Sequence, residues 1–288
     1  MPSSASQFLN SFVHSSKLFP PNILGYSIGP TIGHGATSII CKAYSPTGSI
    51  VAVKILPPSS IQEAKTWSRL SHEHILPLFD FHLSLSHLYL FTLYCPAGSL
   101  LDLLRSLPTQ SLLQDDAGMI FRQVVRGLRY LHQEAFIVHR DIKLDNILID
   151  EMGSCRIADF GMAVSLLPDQ EQDTEPPRYH RNSTSTHSLQ PQFQPGSLPY
   201  LAPELLLPTS IIRPHPSQDI WALGVLLYAL LSGSLPFFDT FEPRLQLKIL
   251  NGTRSFSPFL PFSPFLYRHL YPFTRHRSRR RTYPQRLS

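Results

Sequence analysis

Eight consecutive residues, His139-Arg140-Asp141-Ile142-Lys143-Leu144-Asp145-Asn146, place a carboxylate, a lysine two positions on and an amide five positions on. An aspartate so placed can accept a proton from a hydroxyl. The lysine can neutralise a phosphate, and the asparagine amide oxygen can hold a hard cation. Thirteen residues after Asn146 comes Asp159-Phe160-Gly161, a second carboxylate beside a glycine. A carboxylate and an amide oxygen converging on one Mg2+ is the equipment of phosphoryl transfer, because the metal offsets charge on the β- and γ-phosphates.

Such groups need rigid supports on either side. Before them, Met119 to His132 has a clear helical period, and after them Ile147-Leu148-Ile149 and Cys155-Arg156-Ile157 predict a hairpin about a turn at 150–154. Upstream, Gly25 to Val53 reads as strands, with short β-branched runs broken by Gly and Pro. Pro57-Pro58 stops the last of these runs, and Ser60 opens a short helix with apolar residues at Ile61, Ala64, Trp67 and Leu70. A helix over 61–70 is only about 15 Å long. His87 to Tyr94 predicts a further strand, and from Leu100 the pattern turns helical. Ile220 to Leu231 is apolar on every side, which predicts a buried helix. Residues 162–195, rich in Pro, Gln, Ser and Thr, predict a long irregular stretch. A strand-rich half thus precedes a helix-rich half, joined near Tyr94 to Gly98.

Composition limits the rest. With 288 residues, 42% of them apolar, the chain can bury a sizeable core, and collagen, coiled coil and a wholly disordered chain are excluded. The longest apolar run has 12 residues, against about 20 needed to cross a bilayer. The Ser-rich start has no secretory pattern. An intracellular location, cytoplasmic or nuclear, with no membrane partner, is expected. Cys41, Cys95 and Cys155 lie far apart without metal-type spacing and read as reduced thiols. The net charge of +5 is uneven: residues 243–288 carry ten Lys/Arg and no acid, leaving fifteen bases against twenty acids before them. A basic tail can meet nucleic acid, but no folded basic face accompanies it, and a nucleic-acid partner is not expected.

Further motifs stand in order along the chain. They are Ile32-Gly33-His34-Gly35-Ala36-Thr37-Ser38-Ile39-Ile40, Val51-Ala52-Val53-Lys54, Gly196-Ser197-Leu198-Pro199-Tyr200 before Ala202-Pro203-Glu204, and Asp219-Ile220-Trp221-Ala222-Leu223-Gly224. With the two motifs above, from about Gly25 to Thr282, the chain resembles a eukaryotic protein kinase of the serine/threonine branch. The resemblance implies an α+β, bilobal protein-kinase-like fold with a small β-rich N-lobe and a larger helical C-lobe. The implied bounds are an extension over 1–24, a kinase domain over 25–282 and a short tail over 283–288. Within the domain the N-lobe covers about 25–93, the hinge 93–98 and the C-lobe 99–282. It implies ATP and Mg2+ as cofactors and Ser/Thr hydroxyls of proteins as acceptors.

By the same resemblance Asp141 is the base and Lys143 contacts the γ-phosphate. Ile32, Gly33, Gly35, Ile40, Ala52, Lys54, Glu63, Thr92, Leu93, Cys95, Asn146 and Asp159 would line the ATP site, the last two holding Mg2+. Arg140, Phe160, Gly161, Glu204, Asp219 and Arg280 would have structural roles, Arg280 pairing with Glu204 and Asp219 bracing the loop at 139–146.

The chain departs from the pattern in places. Ser38 stands where the third glycine of the loop falls, and Leu93 where an acidic hinge residue is usual. Glu63 has two readings. It resembles the helix glutamate that pairs with the ATP lysine, yet only nine residues separate it from Lys54, and Ser60-Ile61-Gln62-Glu63 also spells a capping box. Pro191-Gln192-Phe193-Gln194-Pro195 has no hydroxyl, so activity is expected not to need a phosphate there. A kinase-like scaffold without catalysis is the alternative function, and a small-molecule phosphotransferase is a second.

Overall fold

The computed structural model describes residues 20–35, 37–167, 197–207 and 213–253. The expectations for 191–195, Gly196, Arg280, Thr282 and the basic tail lie outside these residues.

Six antiparallel strands form the first half: β1 (Asn22–Ile23), β2 (Tyr26–His34), β3 (Ile39–Tyr44), β4 (Ile50–Leu56), β5 (Leu78–Leu83) and β6 (Leu88–Leu93), in the spatial order β1-β2-β3-β4-β6-β5. Alternation along β4 sends Val51, Val53 and Ile55 into a cluster with Ile39, Cys41, Tyr89 and Phe91. Ala52, Lys54 and Leu56 therefore face the other way, where Leu56 joins the main core. Strand β5 was not signalled by its sequence, since Phe79, Asp80, Phe81 and Leu83 are all exposed.

Helix α1 (Ile61–Trp67) links β4 to β5 and stops three residues short of the expected end at Leu70. Ser60 precedes it with no side-chain cap, so the capping box of the sequence does not form. Helix α2 (Leu100–Ser106) does begin on a capping box, Ser99 with Asp102. Helix α3 (Gln114–Gln133) buries Ala117, Val124, Leu128 and Leu131 along one face. Strand β7 (Ile137–Val138) follows, and β8 (Ile147–Ile149) pairs with β9 (Cys155–Ile157) as the expected hairpin. The stretch from 162, expected to be irregular, opens with β10 (Val164–Ser165), which pairs with β7. Helix α4 (Pro216–Ser232) starts four residues before the apolar run and is largely buried. It ends on Gly233 at φ +71°, where a Cβ would lie 2.8 Å from the Gln110 carbonyl oxygen, so only glycine fits. Helix α5 (Glu242–Asn251) closes the described chain.

The strand-rich region is tied to the helical one through residues 72–76. His74 and Leu76 exchange backbone hydrogen bonds with Ile157 at 2.9 and 2.8 Å. The Arg156 guanidinium joins Asp150 and donates to the Glu73 carbonyl. Gly127 of α3 packs under the same loop: a Cβ there would lie 2.8 Å from Ile157 Cδ1 and 3.0 Å from the His74 carbonyl oxygen. Gly118 on the same helix would meet only Arg122 Nη1, at 3.6 Å. Helix propensity alone favours alanine at both by up to about 1 kcal/mol. Thermal unfolding should therefore show Gly118→Ala raising Tm. Gly127→Ala should lower Tm, its overpacking costing about 1–3 kcal/mol. Equal shifts in the two variants would contradict this packing.

Candidate active site

The loop after β7 is hung from one carboxylate. Asp219, in the first turn of α4 and 1% exposed, accepts the amide N–H of His139 at 2.8 Å and of Arg140 at 2.7 Å. His132 Nε2 on α3 lies 2.8 Å from the same carboxylate. Arg140 sits at φ +66°, a conformation costly for a side chain with a Cβ, and the bond to Asp219 holds it there. His139 is fully buried, its Nε2 on the Ala158 carbonyl and its Nδ1 accepting the Asp141 amide.

Asp141 is then fixed on three sides. The Ser197 hydroxyl donates to Oδ1 at 2.6 Å, and the Lys143 ammonium and Asn146 Nδ2 both donate to Oδ2 at 2.8 Å. Lys143 also donates to Ser197 Oγ at 3.0 Å. Asn146 stands in a single turn, Leu144–Asn146, and its Nδ2 further holds the Asp141 carbonyl at 2.8 Å. Ser197 was quoted in the sequence only as part of a motif; its hydroxyl on Asp141 is a contact no spacing rule points to, because 56 residues separate them.

Lys54 closes the other side. Its Nζ lies 2.7 Å from Glu63 Oε1 and 2.9 Å from Asp159 Oδ1. The ion-pair reading of Glu63 is thus the geometry observed. Burial works against the Lys54 charge, but Asp159 and Glu63 outweigh it and hold the ammonium above its ordinary value. Burial lifts the Glu63 carboxyl, Asp159 adds to the rise and Lys54 opposes it. For Asp159 burial also pushes upward, yet the Lys54 ammonium and the Gly161 N–H prevail and bring it down to about 2. Gly161 leaves room for this: a Cβ there would lie 3.2 Å from Asp159 Oδ1 and 3.3 Å from Glu63 Oε2.

The remaining expected residues frame this centre. Gly33 pairs with Ile40 across the β2–β3 hairpin, and Ile40 pairs with Lys54. At Gly33 a Cβ would make only ordinary contacts with Ile40, at 3.7 Å, so the fold itself does not require glycine there. At Gly35 a Cβ would come within 2.4 Å of Ser38 Oγ. Ile32 is 46% exposed at the rim. Ala52 faces Thr92 in register, and Leu93 and Cys95 begin the link to α2. Burial pushes the Cys95 thiol up to about 12, with Asp150 adding to it, so it stays protonated. Phe160 is buried between Trp67 and His139, at ring centroid distances of 5.2 and 5.1 Å. Glu204 is half-buried in the turn Pro203–Leu206; its expected partner Arg280 is outside the described residues.

Two oxygens near the centre have no partner among the described residues: Asn146 Oδ1 and Asp159 Oδ2. No group of three or more His, Cys, Asp or Glu among the described residues could hold a metal alone. This donor set suits a hard cation that takes its remaining ligands from phosphate and water. The protonated Lys54 suits the phosphates themselves.

The family model "Protein kinase domain" matches residues 26–261. Maternal embryonic leucine zipper kinase of Xenopus tropicalis is 32% identical over 236 residues, 79% of this chain and 33% of that protein. SNF1-related protein kinase catalytic subunit alpha KIN12 of Arabidopsis thaliana is 34% identical over 239 residues, 79% of this chain and 43% of that one. Serine/threonine protein kinase OSK3 of Oryza sativa subsp. indica is 32% identical over 238 residues, covering 79% and 42%. The chain therefore spans less than half the length of these relatives. Among the described residues no helix is long and apolar enough to cross a membrane.

The lowered Asp159 carboxyl sets a pH dependence. Its pKa lies near 2 in the folded chain against an ordinary 3.8. The stabilisation it brings is present above 3.8 and fades as pH falls towards 2, on the order of 2 kcal/mol in all. Urea unfolding between pH 5 and 2.5 should show a steeper loss for the native sequence than for Asp159→Asn. Parallel curves would contradict the pairing.

Proposed function

The chain belongs to the protein kinase domain family, and from that premise we propose that it transfers the γ-phosphoryl group of ATP to serine and threonine hydroxyls of proteins. The observation that carries the reading is the Asp141 carboxylate held by Ser197, Lys143 and Asn146, beside the Lys54–Asp159–Glu63 group. The reading takes residues 25–282 as the kinase domain, with a β-rich lobe to about 93, a hinge over 93–98 and a helical lobe beyond.

In this mechanism Asp141 orients the acceptor hydroxyl and takes its proton as the oxygen bonds the γ-phosphorus, while the bond from that phosphorus to the bridging oxygen breaks and ADP leaves. Ser197 and Lys143 keep the carboxylate turned to that task, and Lys143 offsets charge on the transferring group. Lys54, kept protonated by its two carboxylates, binds the α- and β-phosphates. Gly33 and Gly35 let backbone amides approach the phosphates, and the backbone of Leu93 to Cys95 reads adenine beside Thr92 and Ala52. Asn146 and Asp159 would hold Mg2+, which would supply neutralisation of phosphate charge.

The nine-residue gap from Lys54 to Glu63 bears on the scaffold alternative. That gap is spanned at 2.7 Å, which favours the catalytic reading. The deciding experiment offers Mg-ATP labelled at the γ-phosphate to a mixed Ser/Thr/Tyr peptide library, beside Asp141→Asn. Label on Ser/Thr peptides, reduced by about 100-fold or more in the variant, is expected. Label confined to tyrosine or to free small alcohols, or none from folded protein that binds ATP, would sink the proposal.

A further inference from the structure

Helix α5 is apolar on two faces. Leu245 and Ile249 are buried against the rest of the chain. On the far side Pro243, Leu247 and Leu250 recur at i, i+4 and i+7, and all three are exposed. Leu247 is 57% exposed and Leu250 36%. A surface helix of a globular domain ordinarily turns a polar face to water, so this stripe calls for cover.

The chain leaves α5 beside that stripe. Gly252 ends the helix at φ +65°, its N–H on the Ile249 carbonyl at 3.2 Å, and the Thr253 N–H returns to the Lys248 carbonyl at 2.9 Å. This paired turn stops a helix and takes the chain off its axis. Residues 254–288 follow, and the first of them have a regular sequence pattern. Phe256, Phe259, Phe262 and Phe265 recur at every third position, with Pro258, Pro261 and Pro264 at the same interval. No charged residue occurs from Ser255 to Tyr267.

Proline at every third position does not suit an α-helix. A three-residue period is that of polyproline II, which repeats about every 9 Å. The stripe from Pro243 to Leu250 is about 10 Å long, so two successive phenylalanines match its two ends. Three residues of chain reach about 10 Å, enough to bring Phe256 from Thr253 to Leu250.

We propose that the exposed face of α5 is a docking site for residues 256–265 of the same chain. The segment runs back along the helix, with Phe256 over Leu250 and Phe259 towards Pro243 and Leu247. Tethered this closely, it is present at an effective concentration on the order of millimolar, ahead of a partner in solution. The docking does not depend on the phosphoryl-transfer reading.

The test is disulfide closure in the full chain under mild oxidation. Leu247→Cys, on the stripe, and Arg244→Cys, exposed but off it, are each combined with Phe259→Cys. Docking should close the Leu247→Cys pair at least about tenfold faster, within one chain. A free tether closes both at nearly the same rate, because the two loops are of similar length. Similar rates would therefore overturn the proposal. Bonds formed between two chains would overturn it in favour of a second copy as the cover. A second measurement compares amide exchange in the wild-type chain and in a variant with all four phenylalanines replaced, Phe256→Ser, Phe259→Ser, Phe262→Ser and Phe265→Ser. Amides of 247–251 should exchange about fivefold faster in the variant, while those of 124–131 in α3 keep their rates. Unchanged exchange in α5, or faster exchange in both helices, would overturn the proposal equally.

Discussion

A buried ammonium is the constraint around which this structure is organised. Lys54 is 13% exposed, and an unpaired charge at such a site is strongly disfavoured. Its two partners come from positions nine and 105 residues further along the chain. To satisfy one side chain, β4 must turn Lys54 away from the sheet's own core, α1 must bring Glu63 across, and β9 must end so that Asp159 follows in reach. The two carboxylates do not share the cation equally. The Lys54 ammonium draws Asp159 below its ordinary value against its burial, while burial lifts Glu63 above its own. That inequality leaves Asp159 charged, as the role proposed for it in holding Mg2+ requires.

A second anchor acts on the opposite side of the centre. Asp219 accepts two successive amides, one from a residue with positive φ, and so fixes the direction in which Asp141 leaves the loop. The anchor is only as firm as its own support, and that support is α4, buried along most of its length. The apolar character of Ile220 to Leu231 and the geometry of Asp141 are therefore parts of one arrangement. The helix is a fixed post, and the carboxylate at its first turn transmits that fixity to the loop.

Much of this was legible in the sequence, and the failures have physical causes. The β8–β9 hairpin, the strand that carries Lys54 and the buried helix show local periodicity and turn residues, and they form where expected, β4 running two residues past Lys54. Strand β5 did not show itself because it lies at the sheet edge, where Phe79, Phe81 and Leu83 face outward and alternation is lost. Ser60 and Glu63 spelled a capping box, but Glu63 cannot serve both the helix start and Lys54, and the buried charge takes it. The Ser197 hydroxyl and the Trp67 indole act through contacts with Asp141 and Leu76 that only the folded chain creates.

The nine-residue gap between Lys54 and Glu63 shows where sequence spacing stops being informative. Spacing speaks for geometry when the intervening chain is a regular element whose length sets the distance. Here the gap holds Pro57-Pro58, a single turn over Pro58–Ser60 and the start of a helix too short to be stable alone. Such a segment adopts the position that tertiary contacts impose. Those contacts are a charge pair at one end of the helix and an indole at the other. A longer helix would bring its own stability and could rest in more than one place against the sheet. A seven-residue helix takes its place from these two contacts, the Lys54 ammonium on Glu63 and the Trp67 N–H on the Leu76 carbonyl.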